Sequence, residues 1–80
     1  MTQENVIKGI HNVFIEGFEI EEEILNGAAT LDQDLGLDSL DGLDLVVALE
    51  KEFDIRIPEE TAREMRVLQD IYDYVDNNVQ

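Results

Sequence analysis

Ser39 is the only serine among 80 residues, His11 is the only histidine, and there is no cysteine. Ser39 stands in Leu35-Gly36-Leu37-Asp38-Ser39-Leu40, directly ahead of the strongest helical pattern in the chain. A serine nucleophile needs a base within hydrogen-bond reach and donors for the developing oxyanion. The strained G-x-S-x-G elbow is missing, because Leu37 and Asp41 stand where its glycines belong. His11 shows no orienting partner in the sequence, and Asp38 and Asp41 would place negative charge beside an oxyanion, which is the wrong sign. The chain therefore reads as a non-enzyme with no catalytic residue.

Metal chemistry fares no better. An EF-hand loop needs D-x-[DN]-x-[DN]-G and a glutamate at its twelfth position. Setting Gly42 as the loop glycine puts Leu37 first and Ala48 twelfth, and setting Gly36 there puts Leu31 first. His11 is read as a surface or boundary residue rather than a ligand. Two roles are left for Ser39. A helix start offers free N–H groups and a positive dipole end, so a phosphoester on its Oγ would be well placed. The alternative is a plain N-cap serine worth about 1 kcal/mol. The residues by themselves leave both open.

The elements that would position Ser39 are helical. Val6, Ile10, Val13 and Phe14, joined by Ile7, recur at helical spacing behind a Thr2 cap, and Gly17 is the expected stop. Residues 18–38 form a long ordered loop. In it Ile20 and Ile24 share one side of a short turn, Asn26-Gly27 marks a second turn, and Leu31, Leu35 and Leu37 help pin it to the core. A second helix runs from Ser39 to Phe53, capped by Asp38 or Ser39, with Asp41 in its first turn. Ile55-Arg56-Ile57 is an extended connector, and Pro58 takes the first position of a short helix that continues from Glu59 to Met65. Leu68, Ile71, Tyr72 and Val75 mark the last helix. The fold class is all-α: a small four-helix bundle of three main helices and one short one, a single domain over 1–80.

The second helix carries two apolar stripes. At 100° per residue, Leu45, Val46, Leu49 and Phe53 fall within about 100° of one another, while Leu40, Leu43 and Val47 lie roughly opposite. The first is a core stripe. The second, edged by Asp38, Asp41, Asp44 and Glu50, has the form of a strip that docks into a greasy groove rimmed with Lys and Arg. The competing reading is that the long loop covers it, Leu40 and Leu43 above all.

Asp34-Leu35-Gly36-Leu37-Asp38-Ser39-Leu40-Asp41-Gly42-Leu43-Asp44-Leu45 closely resembles the attachment motif of acyl carrier proteins. The resemblance continues through Ala48 to Pro58, including Phe53-Asp54-Ile55-Arg56-Ile57-Pro58, and on through Gln69 to Val75. It implies that Ser39, flanked by Asp38 and Leu40, receives a 4′-phosphopantetheine arm from coenzyme A. The arm's thiol, which this cysteine-free chain cannot supply, would carry acyl groups as thioesters for fatty-acid or polyketide-type enzymes. The implied partners are a phosphopantetheinyl transferase and acyl-transferring and chain-elongating enzymes with basic docking patches. They would meet the helix at Asp41, Leu43, Asp44, Val47 and Glu50. The resemblance also implies an acyl pocket, for which Leu45, Val46, Leu49, Phe53, Ile57, Ile71 and Tyr72 are the candidates. The alternatives are a peptidyl or aminoacyl carrier, in which Gly-His more often precedes the serine, and an unmodified acidic module docking through the same face. Three positions depart from the pattern: Gly42 where threonine is frequent, Lys51 where an acid is common, and Val67 in place of a threonine cap.

Twenty acidic residues against five basic ones give a net charge of −15. Nucleic acid and anionic membranes need a basic surface and are poor partners, whereas a basic protein is drawn in. With no basic, apolar leader and no long apolar run, the expectation is a cytoplasmic monomer that does not insert into membranes. Self-repulsion of this charge opposes the compact state. Added salt or a divalent cation is therefore expected to raise the melting temperature, and a melting point that stays constant through a salt titration would contradict it.

Overall fold

The computed structural model describes residues 3–79, so the expected Thr2 cap lies outside them. Four α-helices follow in order: α1 (Gln3–Phe18), α2 (Ser39–Phe53), α3 (Glu59–Glu64) and α4 (Leu68–Asn78). Among the described residues there is no strand, only a single antiparallel bridge between Thr30 and Val67. No helix among them is long and apolar enough to cross a membrane.

In α1 the spacing of Val6, Ile10, Val13 and Phe14 puts all four into the core, with Ile7 half-buried beside them. The helix does not stop at Gly17. It continues through Phe18, whose ring packs 6.1 Å from that of Phe14, and ends where Glu19 adopts a left-handed backbone (φ 55°). The extra apolar contact outweighs the local stop signal of the glycine. α1 packs against both α2 and α4. Gly9 makes the first contact close: a Cβ there would lie 2.7 Å from Cζ of Phe53.

The α1–α2 connection is ordered, but not quite as its hydrophobic residues suggest. Ile20, Leu25, Ala29 and Leu35 are buried, Leu31 and Leu37 are half-buried, and Ile24 is 43% exposed. Glu21 is extended and a 3-10 turn occupies Glu22–Ile24, so Ile20 and Ile24 do not share a helical face and Leu25 turns inward instead. The bridge to α4 was absent from the sequence pattern. Leu31 N–H donates to Arg66 O (2.9 Å), Leu68 N–H to Ala29 O (3.0 Å) and Gln69 N–H to Gly27 O (3.0 Å). These bonds satisfy backbone groups at the start of α4, where Val67 has no side-chain acceptor to offer. Asp70 completes the task by accepting from Arg66 N–H (2.9 Å) and Val67 N–H (3.2 Å).

The cap of α2 is Asp38, not Ser39. Asp41 N–H donates to Asp38 Oδ1 (2.8 Å), and Asp38 N–H donates back to Asp41 Oδ2 (3.3 Å). This is a capping box in which an aspartate fills each role, with both carboxylates favoured by the helix dipole. At the far end Asp54 takes a left-handed backbone (φ 53°), and the Glu50 carboxylate accepts from Ile57 N–H (2.8 Å). Pro58 then caps α3 rather than occupying its first position, and Met65 closes it one residue earlier than expected.

Leu45 and Leu49 are buried in α2, with Val46 and Phe53 half-buried. Leu68, Ile71, Tyr72 and Val75 bury from α4. A domain of 80 residues holds a stability of about 4–12 kcal/mol, so single core losses are a large share of it. Leu49→Ala is expected to remove about 2–5 kcal/mol, whereas Leu40→Ala, at a side chain 70% exposed, stays within about 0.5 kcal/mol. Urea melts of the two variants check this. The same melts separate the two readings of the helix start: Asp38→Ala should cost about 0.5–2 kcal/mol, and Ser39→Ala within about 0.5 kcal/mol.

Candidate functional site

Because Asp38 caps α2, Ser39 is the first residue of the helix proper, exposed to solvent. Its hydroxyl makes no hydrogen bond to any described residue. The plain N-cap reading is thereby set aside. No base faces it. His11, on α1, has both ring nitrogens committed elsewhere: Nε2 to the Tyr72 hydroxyl at 2.5 Å, and Nδ1 weakly to Glu22 Oε1 at 3.5 Å. The imidazole is a boundary group, as expected, but it has partners that the sequence did not show. Tyr72 is drawn toward it and away from other uses. Burial, and after it the Glu22 carboxylate, raise the Tyr72 phenol above its ordinary value of 10.0. Folding therefore gains fully from this group below that value, and the gain is lost as pH rises through the raised folded value.

Ser39 borders a cleft of about 350 Å³ between α2 and α3. Gly42 and Leu43 form its rim with Ser39, and Leu45, Val46, Leu49 and Ile71 run into the interior. Ala62 and Met65 supply the α3 wall, and Leu31 comes from the connection. Gly42 keeps the rim low, since a Cβ there would meet nothing within 4 Å. Four of the seven residues singled out for an interior pocket border this cleft: Leu45, Val46, Leu49 and Ile71. Phe53, Ile57 and Tyr72 do not. Phe53 fills the space over Gly9, Ile57 is buried at the end of the α2–α3 connector, and Tyr72 faces His11. Ala62 and Met65 were missed, although their spacing of three on the short helix was a readable sign of a shared face.

The second stripe of α2 is open to solvent. Leu40, Leu43 and Val47 are 70%, 60% and 49% exposed, so the connection does not cover them. The acids around them are not equivalent. Asp44 is exposed, Asp38 and Asp41 are both engaged in the capping box, and the half-buried Glu50 carboxylate is engaged by Ile57 N–H.

An arm on Ser39 fits what is present. The hydroxyl is free and exposed, the positive end of a 15-residue helix lies under it, and an apolar cleft begins beside it. When bound, 4′-phosphopantetheine supplies a terminal thiol that holds a carried group as a thioester. The model of one protein family, described as the phosphopantetheine attachment site, matches residues 8–75. Such carrier domains are generally not catalytic themselves, and they meet a phosphopantetheinyl transferase and biosynthetic enzymes. The match takes in α2 with its capping box, the cleft and most of α4, and the chain belongs to the phosphopantetheine attachment family of carrier proteins, which hold 4′-phosphopantetheine covalently.

Proposed function

We propose that the protein carries acyl intermediates as thioesters on a 4′-phosphopantetheine arm attached to Ser39, and presents them to fatty-acid or polyketide-type biosynthetic enzymes. The observation that carries this reading is the hydroxyl of the chain's one serine, exposed and unbonded within the matched region because Asp38 has taken over the capping role. The cleft beside it supports an acyl cargo over an aminoacyl one. It is apolar along Leu45, Val46, Leu49 and Ile71, with Glu59 and Arg63 on its α3 side. Asp38 before the serine, where peptidyl carriers more often have Gly-His, points the same way.

Enzymes would approach the outer face of α2. Leu40, Leu43 and Val47 supply an apolar strip, and Asp38 and Asp44 supply charge for a basic rim. Asp41 and Glu50 contribute less, because they are the less exposed of the four acids.

Incubating the apo protein with coenzyme A, Mg²⁺ and a broad-specificity phosphopantetheinyl transferase, then weighing the product, tests the attachment. One phosphopantetheine is expected on the wild type and none on Ser39→Ala. A wild type that stays unmodified, or a Ser39→Ala variant that gains the same mass, contradicts the assignment.

A further inference from the structure

We infer that the cleft beside Ser39 takes an acyl chain whose far end carries a carboxylate, received by Arg63 and Arg66. This rests on the acyl-carrier reading above and goes further by naming the cargo class. The apolar cleft shares Leu31, Arg63 and Met65 with an adjoining open recess of about 420 Å³, whose other walls are Thr30, Asp32, Gln33 and Arg66. Ser39 borders the first space only. A chain tethered at Ser39 that follows the apolar walls meets Arg63 at the border of the two spaces, with Arg66 on the far side of that border.

The charge there is unlike the rest of the molecule. The chain has five cations against twenty acids, and two of the five border this one recess. Arg63 spends one N–H on Glu59 Oε1 (2.6 Å), which leaves most of its five donors available. The Arg66 guanidinium has no partner among the described residues. The acids nearby are Glu59, which lines the cleft and is paired with Arg63; Asp32, which lines the recess and accepts from Gln33 N–H (2.7 Å); and Asp34, which accepts from Thr30 N–H (2.9 Å). A carboxylate cannot rest among Leu45, Leu49 and Ile71 without losing its hydration. Elsewhere on a surface of net charge −15 it meets repulsion. Two guanidinium forks, Arg63 bordering the apolar cleft and Arg66 the recess next to it, match its shape and charge.

The test uses the full chain carrying the arm, loaded with an octanoyl group or with an eight-carbon chain ending in a carboxylate. Wild type is compared with the Arg63→Gln/Arg66→Gln double variant. Three signals are read: the methyl resonances of Leu49 and Ile71, the arginine Nε–H resonances, and the melting temperature. Both chains are expected to shift the two methyl groups. Only the carboxylate-ended chain should shift Arg63 and Arg66, and it should raise the melting temperature above that of the octanoyl form. This extra rise should vanish in the double variant, while the octanoyl response persists. If the octanoyl chain enters and the carboxylate-ended chain leaves the arginines unmoved, the cargo assignment falls and the acyl-carrier reading stands. If neither chain moves Leu49 and Ile71, the cleft itself is not the cargo site and the assignment falls with it. Arginine shifts that appear in full on adding the bare arm would assign the pair to its phosphodiester and overturn the proposal.

Discussion

The reciprocal hydrogen bonds between Asp38 and Asp41 fix where α2 begins, and with it which side chain at the helix start is spent on capping. An N-terminal turn has four N–H groups without intrahelical partners, and a serine at the boundary is normally drawn into satisfying one. Here an aspartate one residue earlier does so. Ser39 falls inside the helix with its hydroxyl unbonded and facing water. Moving the cap by one residue would lengthen or shorten α2 without changing the 100° between its later side chains. The box therefore frees the serine, while burial of the apolar stripe turns Leu45 and Leu49 inward and leaves Leu40, Leu43 and Val47 outside.

That division of α2 is sustained by a core built almost wholly from the other elements. Six of the seven most completely buried large side chains, among them Phe14, Ile10 and Ile71, lie on α1 and α4, and Leu49 alone comes from α2. α2 thus has little apolar surface to spare for the bundle and can expose a second stripe without forfeiting its anchorage. α3 is shorter still, six residues with none fully buried, and its contact with α2 is the cleft rather than a tight seam. An open cleft lies beside Ser39, and a close contact, where Phe53 meets Gly9, lies at the other end of the same helix.

Local pattern made much of this readable. The α2 limits, the four buried residues of α4 and the two stripes follow from spacings of one to seven residues, and the structure agrees with each. What could not be read depends on residues far apart in the chain. The contacts of Ala29 and Leu31 with Leu68 and Arg66 arise because the connection happens to lie over the start of α4, and no local signal announces them. The partnership of His11 with Tyr72 spans 61 positions and moved Tyr72 from the expected cleft wall to a polar boundary. Ile24 failed for a subtler reason: its i, i+4 relation to Ile20 presumed α-helical geometry, and the backbone chose an extended residue and a 3-10 turn. The borders of the cleft shared this fate, since half of them come from α3 and its C-cap, the connection and α4 rather than from the helix that carries the serine.

An open cleft is well suited to a tethered cargo. A free ligand needs strong contacts to offset the translational freedom it gives up on binding. A group linked through an arm to Ser39 is held at an effective concentration of order millimolar whether or not it is inside. Modest burial then suffices to bring it in, and modest competition suffices to draw it out. At about 0.8 kcal/mol per buried methylene, two additional carbons shift the balance between inside and outside by roughly fifteenfold. Chain length would thereby tune how long a cargo stays sheltered. On the acyl-carrier proposal, a thin rim at Gly42 and a six-residue α3 would keep the barrier to exit low, which a carrier needs as much as it needs the shelter.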